Sequence, residues 1–188
     1  IAAAKGLAAT HAKNIIHRDV KPDNILIPRA RDKAKLLFPD AKLCDLGLAR
    51  TGRAEDAVDV HVPQAPGREG PSLTGYGAAM GTLGYMPSEQ IDDARSVGKT
   101  ADVFALGATL YALLAGHAPF QGDDSLHRRI NTALGKMEPL AKVRPDVSKA
   151  TVLTVEMCLA IQPQDRYADA AATLAVLESC LAPVKERA

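Results

Sequence analysis

The run His-Arg-Asp-Val-Lys-Pro-Asp-Asn occupies residues 17–24, and the triplet Asp-Leu-Gly follows it at residues 45–47. The first run places a carboxylate, an ammonium and a carboxamide in one short loop, from Asp19, Lys21 and Asn24. A carboxylate can take a proton from a hydroxyl, an ammonium can neutralise a phosphate, and oxygen ligands suit Mg²⁺. A second carboxylate, Asp45, follows after a strand-like hairpin. Together these groups indicate phosphoryl chemistry.

The two motifs resemble the catalytic loop and the metal-binding turn of the eukaryotic-type (Hanks-type) serine/threonine protein kinases, and in particular bacterial members of that family. Phosphoryl transfer in this family depends on positioning and charge neutralisation. The resemblance implies that Asp19 is the base for the substrate hydroxyl and that Lys21 neutralises the transferred group. It also implies that Asn24 and Asp45 bind magnesium. A lysine at the position of Lys21 accompanies serine/threonine rather than tyrosine specificity.

A lone Asp-x-Gly is usually just a turn, so the prediction depends on several landmarks that occur in the family's order. One departure is Leu46, which stands where the family most often has phenylalanine. The resemblance further implies ATP and Mg²⁺ as cofactors, with Mn²⁺ as an alternative metal. The implied partners are protein substrates that carry serine or threonine.

A substrate-binding stretch is predicted at residues 81–89, where Gly-Thr-Leu-Gly-Tyr-Met-Pro-Ser-Glu resembles the family pattern G-T-x-x-Y-x-A-P-E. The resemblance implies that Thr82 and Tyr85 position the substrate. Pro87 lies one residue earlier than the proline of the pattern. Because proline fixes φ, we expect a distorted backbone just past the substrate-binding loop.

Four residues are predicted to support the site. The resemblance implies a buried ion pair between Glu89 and Arg166 and implies that Asp102 fixes the backbone of the catalytic loop. Arg18, the residue before the predicted base, offers a cation that a phosphate can pair.

The predicted activation segment covers about residues 45–89, and its part from 51 to 79 is rich in Gly, Pro, Asp and Ala without sustained periodicity. Such a composition is typical of an irregular loop. Ser72, Thr74, Tyr76 and Thr51 are candidate phosphorylation sites within it, and Ser72 and Thr74 are the favoured ones.

The predicted fold is mainly α with a small β-hairpin, like the C-terminal lobe of a protein kinase without its N-terminal lobe. Helical spacing predicts helices over residues 1–13, from Thr100 to about Ala115, and over 125–134, 149–161 and 168–181, with hairpin strands at 25–27 and 42–44. The predicted core-facing residues of the last two helices are Val152, Val155, Leu159, Leu174, Leu177 and Leu181. We assign residues 1–182 to the kinase C-lobe and 183–188 to a tail.

Composition sets bounds on function. The 188 residues carry a formal net charge of +1, which argues against nucleic-acid binding, because phosphate-backbone binding normally needs a basic excess. No run is apolar enough to span a bilayer, so membrane contact is expected only through parts of a parent protein outside this chain. The three cysteines fit neither zinc nor disulfide spacing. We therefore expect reduced thiols and a cytoplasmic location, or the cytoplasmic side of a membrane-anchored parent.

Four histidines, at residues 11, 61, 117 and 127, lack the spacing of a metal site, and we interpret them as structural or exposed.

Two functional hypotheses remain open. In the first, the chain is a fragment of an active serine/threonine protein kinase that needs its N-terminal lobe in cis, and alone it transfers little or no phosphate. In the second, it is a non-catalytic pseudokinase or a truncated kinase-like scaffold that binds partner proteins. Magnesium-dependent ATP binding by the complete protein discriminates the two.

Overall fold

The computed structural model describes residues 1–30, 36–46, 50–51, 83–94 and 97–181. The α-helices in these ranges are α1 (Ala2–Ala12), α2 (Ser88–Asp92), α3 (Lys99–Ala115), α4 (Ser125–Ala133), α5 (Leu140–Val143), α6 (Lys149–Cys158) and α7 (Ala170–Leu181). The strands are β1 (Ile15–Ile16), β2 (Ile25–Leu26), β3 (Lys42–Leu43) and β4 (Arg50–Thr51). Single 3₁₀ turns occur at Pro22–Asn24, Phe38–Asp40 and Pro163–Asp165.

The strands form two small antiparallel pairs. β1 pairs with β4, so that Ile15 lies opposite Thr51, and β2 pairs with β3, so that Ile25 lies opposite Leu43. The β2–β3 pair is the predicted hairpin. Both pairs border the segment between β1 and β2, which contains the predicted base.

Helix α3 is the central element of the core. Its sequence is apolar nearly all round, as expected for a buried helix, and most of its residues from Ala101 to Ala112 are buried. One side joins a cluster that includes Phe104, Tyr111 and residues of α5 and α6. The other side joins a second cluster that contains residues of α1 and α7.

The contact between α3 and α6 is close because Gly107 has no side chain. A Cβ at this position would lie 2.4 Å from Cβ of Cys158. Helix α3 then ends at Gly116, whose φ of +84° suits glycine and lets its N–H donate to the carbonyl of Ala112.

The predicted helices and hairpin are confirmed with small changes of boundary. Two short helices, α2 and α5, were not predicted. Val152, Val155 and Leu159 are buried as predicted, as is Leu177, whereas the prediction for Leu181 is wrong because this residue is 71% exposed. None of the described helices is both long enough and apolar enough to cross a bilayer.

Candidate active site

The candidate site lies in the loop between β1 and β2 and at the end of β3. A 3₁₀ turn at Pro22–Asn24 begins with proline, which is compatible with the first position of a helical turn. The N–H of Cys44 donates to the carbonyl oxygen of Asn24 at 2.9 Å. This bond places Asp45, the next residue, beside residues 17–24, which are called the catalytic loop below after their predicted role.

Asp19 is nearly buried, with 8% of its surface exposed. Its Oδ2 accepts hydrogen bonds from Nζ of Lys21 at 2.8 Å and from Nδ2 of Asn24 at 3.0 Å. Its Oδ1 is buried and has no hydrogen-bond partner among the described residues. One carboxylate oxygen is therefore held by the loop, and the other has no hydrogen-bond partner in the described part of the chain.

His17 connects the two sequence motifs. Its Nδ1 accepts the N–H of Asp19 at 3.3 Å, so the ring proton lies on Nε2, which donates to the carbonyl of Cys44 at 3.1 Å. The imidazole thus holds the backbone at Asp19 against the backbone that precedes Asp45.

Asp102, in the first turn of α3, fixes the catalytic loop as the resemblance implied. Its Oδ2 accepts the N–H of His17 and its Oδ1 accepts the N–H of Arg18, each at 2.7 Å. Asp102 is fully buried. Hydrogen bonds to a carboxylate are about twice as strong as neutral ones, so this side chain fixes the loop firmly.

His11, on α1, is a third partner of Asp102. Its Nε2 lies 2.9 Å from Oδ2 of Asp102, and its Nδ1 accepts the N–H of Ala170 at 3.1 Å. Because Nδ1 is an acceptor here, Nε2 carries the proton and donates it to the carboxylate. The interpretation of His11 as structural is confirmed: this buried ring joins the start of α7 to the residue that supports the catalytic loop.

The backbone at the site adopts rare conformations. Arg18 and Asp45 have φ values of 69° and 65°, in the left-handed region that non-glycine residues seldom adopt. Such conformations persist only where neighbouring contacts hold them. For Arg18 these contacts include Asp102 at its N–H and Gln90, whose Nε2 donates to its carbonyl oxygen at 2.7 Å.

The metal-binding prediction fits the chemistry of the donors. Both amide hydrogens of Asn24 are directed at Asp19, since Nδ2 also lies 2.7 Å from the carbonyl oxygen of Asp19. The remaining ligand atom of Asn24 is its Oδ1, and Asp45 offers an exposed carboxylate. Within the described ranges, no group of three or more His, Cys, Asp or Glu side chains forms a metal cage. A site with so few protein ligands is typical of Mg²⁺, which usually binds through one or two carboxylates plus the phosphates of a substrate.

Tyr85, whose role in substrate positioning stays a prediction, packs against the α3 cluster that contains Phe104. Burial, with a smaller contribution from the charge of Asp23, raises the pKa of Tyr85 above its usual value. Thr82, Ser72 and Thr74 lie outside the described residues, so their predicted roles stay predictions.

Glu89 and Arg166 form the predicted ion pair. Nη1 of Arg166 lies 2.6 Å from Oε1 of Glu89, and Nη2 lies 3.2 Å from Oε2. The other N–H groups of the guanidinium donate to the carbonyls of Thr100, Ala160 and Ile161. All five donors are used, and the guanidinium also lies 4.8 Å from the centre of the Phe104 ring. This pair is architectural.

The expected distortion at Pro87 is not observed. Pro87 has φ −71° and ψ 157° and precedes the first residue of α2. These values are ordinary for proline, and α2 still brings Glu89 to Arg166. The displaced proline is therefore accommodated as the N-cap residue of a short helix.

Sequence reasoning missed the loop contacts of Gln90 and His11. Gln90 gave no sequence signal because its partner Arg18 is 72 residues away. His11 did fall on the apolar spacing of the first helix, so its burial was predictable, but its bonds to Asp102 and Ala170 were not.

This arrangement of a supported aspartate, a lysine and an asparagine beside a second aspartate is that of a protein kinase. The chain belongs to the protein kinase domain family, whose model matches residues 2–177.

Among curated relatives, the chain is 36% identical over 176 residues to the serine/threonine-protein kinase Pkn1 of Myxococcus xanthus, covering 94% of this chain and 22% of that protein. It is 34% identical over 174 residues to the serine/threonine-protein kinase PknL of Mycobacterium tuberculosis, covering 93% of this chain and 37% of that protein. The chain therefore spans only a minor part of the length of these relatives.

Among solved structures, the chain resembles the Rad53 kinase domain, whose crystal structure contains SCD2 and AMPPNP. The TM-score is 0.61 with 22% sequence identity, and the match covers 92% of this chain and 53% of that chain. At this identity the likeness concerns the fold alone. It supports a protein-kinase-like fold with mostly helical content and few strands.

Proposed function

We propose that this chain is the C-terminal lobe of a serine/threonine protein kinase domain, which transfers the γ-phosphoryl group of ATP to hydroxyls of protein substrates. The observation that carries the proposal is the geometry of Asp19: Lys21 and Asn24 hold one oxygen, while the other is buried without a partner in the described parts of the chain. The names of the curated relatives support the same reaction class.

In this proposal Oδ1 of Asp19 accepts the proton of the substrate hydroxyl as the new O–P bond forms, while the bond from the γ-phosphorus to the β–γ bridging oxygen breaks and ADP leaves. The ammonium of Lys21, 2.8 Å from the other carboxylate oxygen, neutralises negative charge on the transferred group. Because phosphoryl transfer depends mostly on positioning and charge, the main task of this loop is to keep these two side chains in place. Asp102, His17 and Gln90 perform that task through the backbone.

Asn24 and Asp45 would hold magnesium, through the amide oxygen of Asn24 and the exposed carboxylate of Asp45. Mg²⁺ held there would neutralise negative charge on the phosphates of ATP. Asn24 then links metal and base, because its amide nitrogen is bonded to Asp19.

The grip on the rest of ATP is proposed to come from an N-terminal lobe in cis. The 188 residues contain no Gly-x-Gly-x-x-Gly sequence, the motif that covers the ATP phosphates in protein kinases. A cytoplasmic site of action, or the cytoplasmic side of a membrane-anchored parent, would suit an ATP-dependent enzyme.

The test is phosphotransfer from radiolabelled ATP to a serine/threonine protein substrate by the complete protein that contains this chain. We expect Asp19→Asn to lower kcat by about 10²–10⁴-fold, the usual contribution of a general base. Asp23→Asn is the matched control, since this exposed aspartate lies in the same loop. Retention of more than a tenth of the activity by Asp19→Asn would refute the assignment.

A second measurement separates the proposal from the scaffold alternative. Magnesium-dependent ATP binding by the complete protein, with phosphotransfer that Asp19→Asn lowers by at least about 10²-fold, supports the kinase. Binding of neither ATP nor magnesium would favour a scaffold.

A further inference from the structure

We propose that Gln90 is a positioning residue for Asp19, which acts by holding the peptide group between Arg18 and Asp19. The inference rests on the proposed function and extends it, because it connects α2, the helix after the substrate-binding stretch, to the catalytic base.

The contact is direct and buried. Nε2 of Gln90 donates to the carbonyl oxygen of Arg18 at 2.7 Å, and Gln90 is 5% exposed. A buried carbonyl that loses its donor is costly, so this bond is a specific constraint on the loop.

The carbonyl of Arg18 and the N–H of Asp19 belong to the same rigid peptide group. Gln90 holds its oxygen end, and Nδ1 of His17 accepts its N–H at 3.3 Å. The bond to His17 is long, so Gln90 supplies the tighter of these two restraints. Rotation of this peptide group would move Asp19 directly.

The conformation of Arg18 makes that rotation favourable once the restraint is removed. Its φ of 69° lies in a region that an L-residue leaves unless contacts prevent it. Asp102 holds the N–H side of Arg18 at 2.7 Å, and Gln90 holds the carbonyl side. Loss of Gln90 leaves the carbonyl side without this bond.

Helix α2 itself is firmly placed. Glu89, the residue before Gln90, is bonded to Arg166 by two hydrogen bonds. Gln90 therefore transmits the position of an anchored helix to the base, and a change in the position of α2 would reach Asp19 through this side chain.

The first experiment measures hydrogen–deuterium exchange in the complete protein with Gln90→Met, which keeps the size of the side chain but removes its N–H donors. Thr154→Val is the matched control: Thr154 is buried on α6, and the substitution removes a hydroxyl that contacts the carbonyl of Ala150 and Sγ of Cys180. We expect amides of residues 17–20 to exchange about tenfold faster in Gln90→Met, and at the wild-type rate in Thr154→Val. Unchanged exchange in Gln90→Met, or an equal increase in both variants, overturns the proposal.

The second experiment measures phosphotransfer. We expect Gln90→Met to lower kcat by about 10–100-fold, the effect of a small misplacement of a catalytic group, with the KM for ATP within about twofold of wild type. A fall in thermal stability like that of Thr154→Val with kcat unchanged would show a merely structural role and overturn the proposal.

The role of Gln90 can be tested even if one variant does not fold or the proposed function fails. If Gln90→Met does not fold, Gln90→Asn carries both experiments, because it keeps the amide but withdraws it by about one C–C bond, roughly 1.5 Å. If the wild-type protein transfers no phosphate, the proposed function fails, while the exchange experiment still decides whether Gln90 holds the loop.

Discussion

Asp102→Asn tests how strongly the catalytic loop depends on one buried carboxylate. The carboxylate accepts three N–H groups: those of His17 and Arg18 at 2.7 Å and Nε2–H of His11 at 2.9 Å. An asparagine has a single acceptor oxygen. The amide keeps most bonds if its oxygen takes the place of Oδ2, facing His17 and His11. Its NH₂ group then faces the N–H of Arg18, donor against donor.

The cost follows from these bonds. The N–H of Arg18 loses its acceptor inside the protein, which costs about 1–3 kcal/mol. The two remaining bonds lose the negative charge of their acceptor, at about 1 kcal/mol each, since hydrogen bonds to charged groups contribute roughly 1.5–3 kcal/mol and neutral ones 0.5–1.5. The free energy of unfolding should therefore fall by about 3–5 kcal/mol. For a chain of this size that corresponds to a Tm lower by roughly 6–20 °C.

The assay is urea unfolding followed by circular dichroism, with Asp92→Asn as the control. Asp92 is 75% exposed at its side chain and lies 3.6 Å from Arg129, so its removal should change the unfolding free energy by less than about 1 kcal/mol. If Asp102→Asn lowers the free energy of unfolding by less than about 1 kcal/mol, the reasoning is refuted, because the buried carboxylate then holds the loop no better than a neutral amide.

The remaining predictions concern packing and ionisation. Gly107→Ala would place a Cβ 2.4 Å from that of Cys158, so overpacking should lower the unfolding free energy by about 1–3 kcal/mol. At Gly6, in the interior of α1, an added Cβ would lie at an ordinary 3.5 Å from Cβ of Leu43. Gly6→Ala should therefore raise the unfolding free energy by about 0.5–1 kcal/mol. Urea unfolding in which both variants shift this free energy in the same direction would contradict the two predictions. Arg166→Met leaves the carboxylate of Glu89 without its ion-pair partner. Urea unfolding should show that the unfolding free energy falls by about 3 kcal/mol, the lower end of the range for broken buried pairs, because the Glu89 side chain is 28% exposed. An unchanged urea midpoint would contradict this prediction. Burial raises the pKa of the Cys158 thiol from 9.0 to about 12. The buried neutral thiol therefore makes its full contribution to the stability of the folded state below pH 9, and this contribution is lost as the pH rises toward 12. The stability difference between wild type and Cys158→Ala should shrink over that range, and a constant difference would count against the assignment.

The parts of the site that sequence predicts well are local. Lys21 and Asn24 lie in the same loop as Asp19, and each donates a hydrogen bond to it. A short sequence motif was therefore enough to predict that these side chains lie together. The long helices were predicted for a similar reason, since the period of apolar residues along α3 and α6 is a local signal. Short helices such as α2 give too few residues for a period to emerge.

The parts that residue patterns alone do not predict are contacts between distant segments; the long-range contacts of Asp102 and of the Glu89–Arg166 pair were predicted only from the family resemblance. Gln90 and Arg18 are 72 residues apart, and His11 and Asp102 are 91 apart. Nothing in the composition near either residue of such a pair indicates its partner. The prediction for Leu181 was wrong for a different reason: its spacing matches the buried face of α7, but it is the last residue of that helix, where no element of the described ranges covers it.

The bond between Ala170 and His11 has a consequence for biosynthesis. It joins residues 159 positions apart, so the start of α7 must be synthesised before His11 acquires its second partner. The base is made about 150 residues earlier than Ala170, an interval of roughly 8–30 s at translation rates of 5–20 residues per second. During that interval the catalytic loop exists on a chain that cannot yet assemble its full support. The nascent protein therefore carries its catalytic motif well before it can hold that motif in its final geometry.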